Sequence, residues 1–286
     1  MRSFTLSMAA AVTIVTLSGG QASALMLFGV NNAGGQLNSI DPADGAATPA
    51  PSPLGSLGTS ILGLAFAPDG TLFGVNDGEA GPTLVTIDTG TGVASTSVGF
   101  TGPTFSIPFG LAFRSDGSLY SVDLFDDTLL TIDSTTAAVT TGSLISPDGT
   151  TALSDVTGIE FDISDVLYGI DNQNDALITI DIATGLTSNV ANLSTLAAGV
   201  PALSGLAIAA DNTFYSIDTD NDALVTINPT TGAITTVGAF SSSFTDIISL
   251  AATPSAAVAP IPLPAPAALL LISLGGLAFV RARRHA

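Results

Sequence analysis

Through the middle of the chain, short runs in which apolar and polar positions alternate are separated by turn sequences built from Gly, Asp, Asn, Pro and Thr. In one stretch the runs are 205–209, 213–218, 223–228 and 233–238, rich in β-branched and aromatic residues, and each is predicted to be a β-strand. The first and second runs of a set are joined by sequences such as Pro68-Asp69-Gly70 and Ser115-Asp116-Gly117. The third and fourth are joined by Asp88-Thr89-Gly90-Thr91-Gly92, Asp181-Ile182-Ala183-Thr184-Gly185 and Asn228-Pro229-Thr230-Thr231-Gly232. These are hairpin signals: Gly supplies a positive φ, and an Asp or Asn side chain bonds the turn backbone.

The runs repeat. Phe28-Gly29-Val30-Asn31, Phe73-Gly74-Val75-Asn76, Tyr120-Ser121-Val122-Asp123, Tyr168-Gly169-Ile170-Asp171 and Tyr215-Ser216-Ile217-Asp218 recur at spacings of 45, 47, 48 and 47 residues. Each is followed by a Ser/Thr-Ile-Asp/Asn element, such as Thr86-Ile87-Asp88. Four are preceded by a strand of the type Gly63-Leu64-Ala65-Phe66. The copy beginning at Phe28 lacks that opening strand, and Ser249-Leu250-Ala251-Ala252 supplies it at the far end. Four strands per repeat make a propeller blade, and a repeat divided between the two ends closes a ring without a free edge. The expectation is all-β: a five-bladed β-propeller over residues 25–253, closed by pairing of its N- and C-terminal strands, with a linker over 254–259.

Gly29, Gly74, Ser121, Gly169 and Ser216 occupy one small-residue column, each after a Phe or Tyr. A shallow place for an aromatic ring of the neighbouring blade is the expected reason. The blades resemble the NHL and YVTN type, in which a Gly-Leu-Ala-Phe-like strand leads into a Leu-Tyr-x-x-Asp strand. Propellers of that kind serve binding, scaffolding and several unrelated hydrolytic functions, so the resemblance implies an architecture and no single activity.

The two ends read as processing segments. Residues 1–24 hold Arg2, an apolar stretch from Leu6 to Leu17 and the small-x-small end Ala22-Ser23-Ala24, the parts of a signal peptide cleaved after Ala24. At the other end, residues 260–286 run from Pro260-Ile261-Pro262-Leu263-Pro264-Ala265 through an apolar segment to Arg281, Arg283 and Arg284. The segment 263–280 would be about 27 Å long as a helix, enough to span a bilayer, and the Arg cluster would stay cytoplasmic. This order of parts resembles the PEP-CTERM sorting signal in its VPLPA variant, with Ile261 in place of Val. The resemblance implies a Gram-negative exporter and an exosortase-type enzyme as partner. It also implies transient anchoring in the inner membrane through the C-terminal helix, then residence at the cell surface or in an exopolysaccharide matrix.

Composition narrows the activity. The chain has 24 Asp and Glu, five Arg, no Lys, no Cys, no Trp and one His, which is His285. Between the end segments the one cation is Arg114. Nucleic acid is excluded as a partner, because phosphate affinity comes from Lys and Arg. A body without His or Cys has no imidazole base, no Ser-His or Cys-His nucleophile and no ordinary zinc site. The chain is therefore read as a non-catalytic structural, adhesive or ligand-binding module. The enzymatic alternative is a glycoside hydrolase, which needs two carboxyls about 5 or 6.5–9.5 Å apart beside a sugar platform. With Trp missing and the three Tyr at repeat core positions, the platform is lacking.

Two sets of acids are candidate sites. Asp218, Asp220 and Asp222 form a D-x-D-x-D run in a loop between second and third strands, a spacing that aims alternate carboxylates at a hard cation, so calcium is the candidate cofactor. Ala223 and Pro229 stand where an EF-hand would need Gly and Glu. The competing role is capping of hairpin backbone. Glu160 occupies the first-strand column that holds Ala65, Ala112, Ala207 and Ala251 elsewhere. It is expected to project into the central channel toward a ligand or ion, or else to reach solvent at the channel mouth or pair with Arg114.

Overall fold

The computed structural model describes residues 25–254, except 33–34, 55–59, 79–80, 96, 104, 195–199, 242–243 and 245. Ala22, Ala24 and the whole sorting segment 260–286 lie outside the described residues. Every regular element described is a strand, and the strands form five antiparallel four-stranded sheets. The first blade holds β1 (Leu27–Asn31), β2 (Gln36–Ile40) and β3 (Ala47–Pro49). The second holds β4 (Ile61–Phe66), β5 (Leu72–Gly78), β6 (Gly81–Ile87) and β7 (Val98–Gly99), and the third β8 (Pro108–Phe113), β9 (Leu119–Asp123), β10 (Thr128–Ile132) and β11 (Val139–Leu144). The fourth holds β12 (Val156–Phe161), β13 (Leu167–Asp171), β14 (Ala176–Ile180) and β15 (Thr187–Asn192). The fifth holds β16 (Leu203–Ile208), β17 (Phe214–Asp218), β18 (Ala223–Ile227) and β19 (Ile234–Ala239). The last strand, β20 (Ile247–Ala252), pairs with β1 and completes the first blade, so the protein is a closed five-bladed β-propeller. Beyond that pair, Thr253 N donates to Met26 O at 2.9 Å and Met26 N to Thr253 Oγ1 at 3.0 Å. Residues 24–255 form one compact unit containing every strand and the ring closure.

Apolar content falls from axis to rim. The inner strands β4 and β16 are buried at five of six positions, as expected of strands covered on both faces. The outer strands β15 (Thr-Ser-Asn-Val-Ala-Asn) and β19 (Ile-Thr-Thr-Val-Gly-Ala) are largely exposed. The core is divided among the blade junctions. Val75 and Leu84 of the second blade meet Leu111 and Leu119 of the third, while Ile170 and Leu177 of the fourth meet Leu206 and Val225 of the fifth. At the closure, Ile217 and Leu224 meet Leu27, Ile40 and Leu250, so β20 contributes core as well as ladder.

Two expectations are corrected. The small-residue column does not receive an aromatic ring from the next blade. A Cβ on Gly74 would lie 3.3 Å from Ile61 Cγ2 and 3.4 Å from Ile87 Cδ1, both of its own blade. The rings instead meet a ring of the following blade: Phe28 with Phe66 at 5.6 Å, Phe73 with Phe113 at 5.2 Å, Tyr120 with Phe161 at 5.5 Å and Tyr168 with Phe214 at 5.0 Å between centroids. Nor is the axis an open channel. Gly63, Gly110, Gly158 and Gly205 bring backbone to backbone there: a Cβ on Gly63 would lie 2.8 Å from Gly110 C, and one on Gly158 2.7 Å from Leu206 N. The residual axial space is about 10 Å³, and the inner strands take a bulge at these glycines to come so close.

Candidate functional site

Because the glycines close the axis, the ring has a cup at one end. It lies where the inner strands finish, on the face of the turns joining first to second strands, and has a volume of about 310 Å³. Phe66, Phe113, Phe161 and Ile208, the last residues of four inner strands, line it with Glu160 and Arg114.

Glu160 reaches the cup from a position set by the repeat. Its column faces the next blade: Ala65 shares a core cluster with Phe113, Ala112 with Phe161, Ala251 with Phe66 and Ala207 with residues of the first blade. At the junction of the fourth and fifth blades the Ala is Glu160, and the Phe column holds Ile208. A longer side chain on one blade thus coincides with a shorter one on the other. Of the expectations for Glu160, projection into an open axial channel gives way to the alternative of an opening at its mouth: the carboxyl sits half-buried between two blades and opens into the cup. Phe161 N donates to Glu160 Oε1 at 2.9 Å. Among the described residues Glu160 has no ion-pair partner, and burial pushes its carboxyl up to about 8.

Arg114 does not pair with Glu160. Its Nη1 lies 3.3 Å from Asp116 Oδ2 and its Nε 3.5 Å from Asp165 Oδ2. Asp165 also accepts bonds from Ser115 N at 3.0 Å and Ser115 Oγ at 2.8 Å, which tie the turn of the third blade to that of the fourth. Those two bonds, with the Arg114 charge behind them, hold the Asp165 carboxyl below its ordinary value. Asp165 has φ +62°, in the column that Gly70 and Gly117 fill elsewhere. Ile163, at the rim in the column of Pro68 and Ser115, is 68% exposed. Sequence reasoning singled out Glu160 as a departure from a column of alanines. It missed Ile163 and Asp165, although the same column comparison exposes both.

On the opposite face the acidic loops are tied to backbone. Asp218 is buried; its Oδ1 accepts from Asp220 N at 3.1 Å and Asn221 N at 3.0 Å, and its Oδ2 from Asn221 Nδ2 at 2.9 Å. Asp220 Oδ2 accepts from Ala202 N at 3.1 Å, and Asp222 takes a positive φ of 48° to turn the chain into β18. Asp171 and Asp123 make the same kind of cap. Among the described residues no three acids come together as a metal-holding group. A calcium ion at Asp218, Asp220 and Asp222 would have to compete with these capping bonds.

A family described as a repeat of unknown function (DUF6923) matches residues 110–246, from within β8 to the approach to β20. No curated protein matches the sequence. Among solved structures, a chain of a nidogen/laminin complex is 15% identical, with a TM-score of 0.55 over 80% of this chain and 98% of the other. A symmetrical protein studied for its de novo evolutionary emergence is 18% identical, with a TM-score of 0.52 over the same shares. At these identities the likeness is one of fold.

Proposed function

We propose that the protein is an exported, non-catalytic propeller that binds a small ligand in the cup. One observation carries the reading. The cup is a formed concavity of about 310 Å³, at the lower end of the size range of ligand sites, with walls of mixed apolar and polar character and, among the described residues, one inward carboxyl that lacks a counter-charge. An unpaired carboxyl at an otherwise invariant alanine position of the repeat costs stability, and a binding role accounts for its presence. Catalysis by a carboxylate pair has less support, since Asp165 is engaged by Ser115 and Arg114 and Glu160 stands alone. Export to the cell surface or an exopolysaccharide matrix is supported by the sequence of the two end segments.

The test is a fragment screen by methyl NMR on residues 25–254, the compact unit that closes its own ring. Binders should move the methyl signals of Ile163 and Ile208, and Ile163→Ser should weaken them several-fold. Shifts confined to the opposite face, around Leu124 or Thr219, would overturn the proposal.

A further inference from the structure

Among the described residues, four charged groups line the cup, and three are already matched. Asp162 Oδ1 accepts from Ser164 N and Val166 N, both at 2.9 Å, and Asp165 is held by Ser115 and Arg114. Arg114 lies between Asp116 and Asp165, so its charge is offset at the rim. Glu160 remains, with one bond from its own backbone neighbour. We infer that the cup takes a compact organic cation, an ammonium or amidinium group on a small apolar body, with Glu160 as its counter-ion. This rests on the reading of the cup as the binding site.

The ligand class follows from charge and shape together. Among the described residues, Asp162 and Asp165 against Arg114 leave the lining net negative even while Glu160 holds its proton, and the body around it is strongly acidic, so cations are drawn toward it and anions repelled. An ammonium beside Glu160 would meet its charge where solvent screens little, which makes the pair stronger than on open surface. The rings of Phe66 and Phe113 and the side chain of Ile208 offer apolar area to the rest of the molecule, and the volume limits it to a small one. Once ionised, Glu160 would repel a carboxylate ligand, and a neutral alcohol would leave the ionised carboxyl without a counter-ion.

Three ligands of one shape separate these cases: benzylammonium, benzyl alcohol and benzoate, titrated into residues 25–254 by calorimetry at pH 8.5, where the Glu160 carboxyl is mostly ionised, and at low salt. Benzylammonium should bind about tenfold or more tighter than benzyl alcohol, with no benzoate binding. Glu160→Gln should bring benzylammonium down to the alcohol's affinity and leave the alcohol unchanged, while Asp126→Asn on the opposite face should alter neither. Equal affinities for ammonium and alcohol, with methyl shifts still at Ile163 and Ile208, would overturn the choice of a cation and leave the cup as a binding site. If none of the three binds at millimolar concentration and no methyl signal moves, the binding reading falls with it.

Discussion

At the residue scale, Glu160 sets the pH behaviour of the propeller. The body has no His, Cys or Lys, so few other groups titrate between pH 5 and 9. The folded carboxyl takes its proton at about 8 against an ordinary value of 4.5. Between those values the native state holds a proton the unfolded chain has lost, so stability falls as pH rises through that window. At ~1.4 kcal/mol per unit the fall is on the order of 3 kcal/mol, allowing for solvent that reaches the carboxyl from the cup. Urea midpoints at pH 5 and pH 8.5 should therefore differ in the natural chain, and Glu160→Gln should remove most of the difference. An unchanged midpoint across that range would place the carboxyl in free solvent. The turn aspartates act in another window. Thr N–H groups hold Asp88 and Asp133 below the ordinary 3.8, and the Thr184 hydroxyl and N–H do the same for Asp181, so their contribution is present above that value and lost on further acidification.

At the element scale, the joint between blades is an aromatic pair plus hydrogen bonds that cross the gap. Phe73 and Phe113 lie 5.2 Å apart, and a double-mutant cycle to Leu should return a coupling of about 0.5–1.5 kcal/mol, whereas a value near zero would mean the rings merely fill space. Asn172 reaches from the fourth blade to the fifth: Leu203 N donates to its Oδ1 at 3.2 Å, and its Nδ2 donates to Leu203 O at 2.8 Å. Asn172→Ala leaves the Leu203 N–H without that acceptor and should cost about 1–3 kcal/mol in a denaturant titration. How far these joints could be read beforehand differs by kind. Strand number, blade count and the divided first blade were legible, because a repeat displays its own alignment and inner strands betray themselves by continuous apolar runs. The partner of each ring was not. Ring contacts run between residues some 40 positions apart in sequence, as with Phe73 and Phe113, and depend on which way each column faces. The cup was hidden for a related reason: its wall is gathered from the ends of inner strands of all five blades, and the Glu160 column points between blades, which a list of inner-strand residues does not reveal.

At the scale of the whole molecule, closure decides whether five weakly self-sufficient sheets become one cooperative unit. β20 gives the first blade its inner strand and places Leu250 and Ala251, both buried, into two different junctions. Outer contacts reinforce the ring, since Thr101, Ser146 and Ser194 each form a parallel bridge to the next blade at Ala138, Leu186 and Ala233. Those bridges are single ladders at the rim, while the β1–β20 pair joins core and backbone at once. A chain ending at Ser241 should therefore lose far more than the local contribution of one strand. It exposes the edge of β1 and opens the fifth-to-first junction, with the cup losing the wall that Ala252 and Pro254 supply. The expected result is a broad, low-amplitude thermal transition with dye-accessible apolar surface, and restoration by a synthetic peptide of residues 246–254 added in trans. A sharp melt at the original temperature without the peptide would mean that the remaining nineteen strands are stable as an open arc, and that closure serves the cup alone.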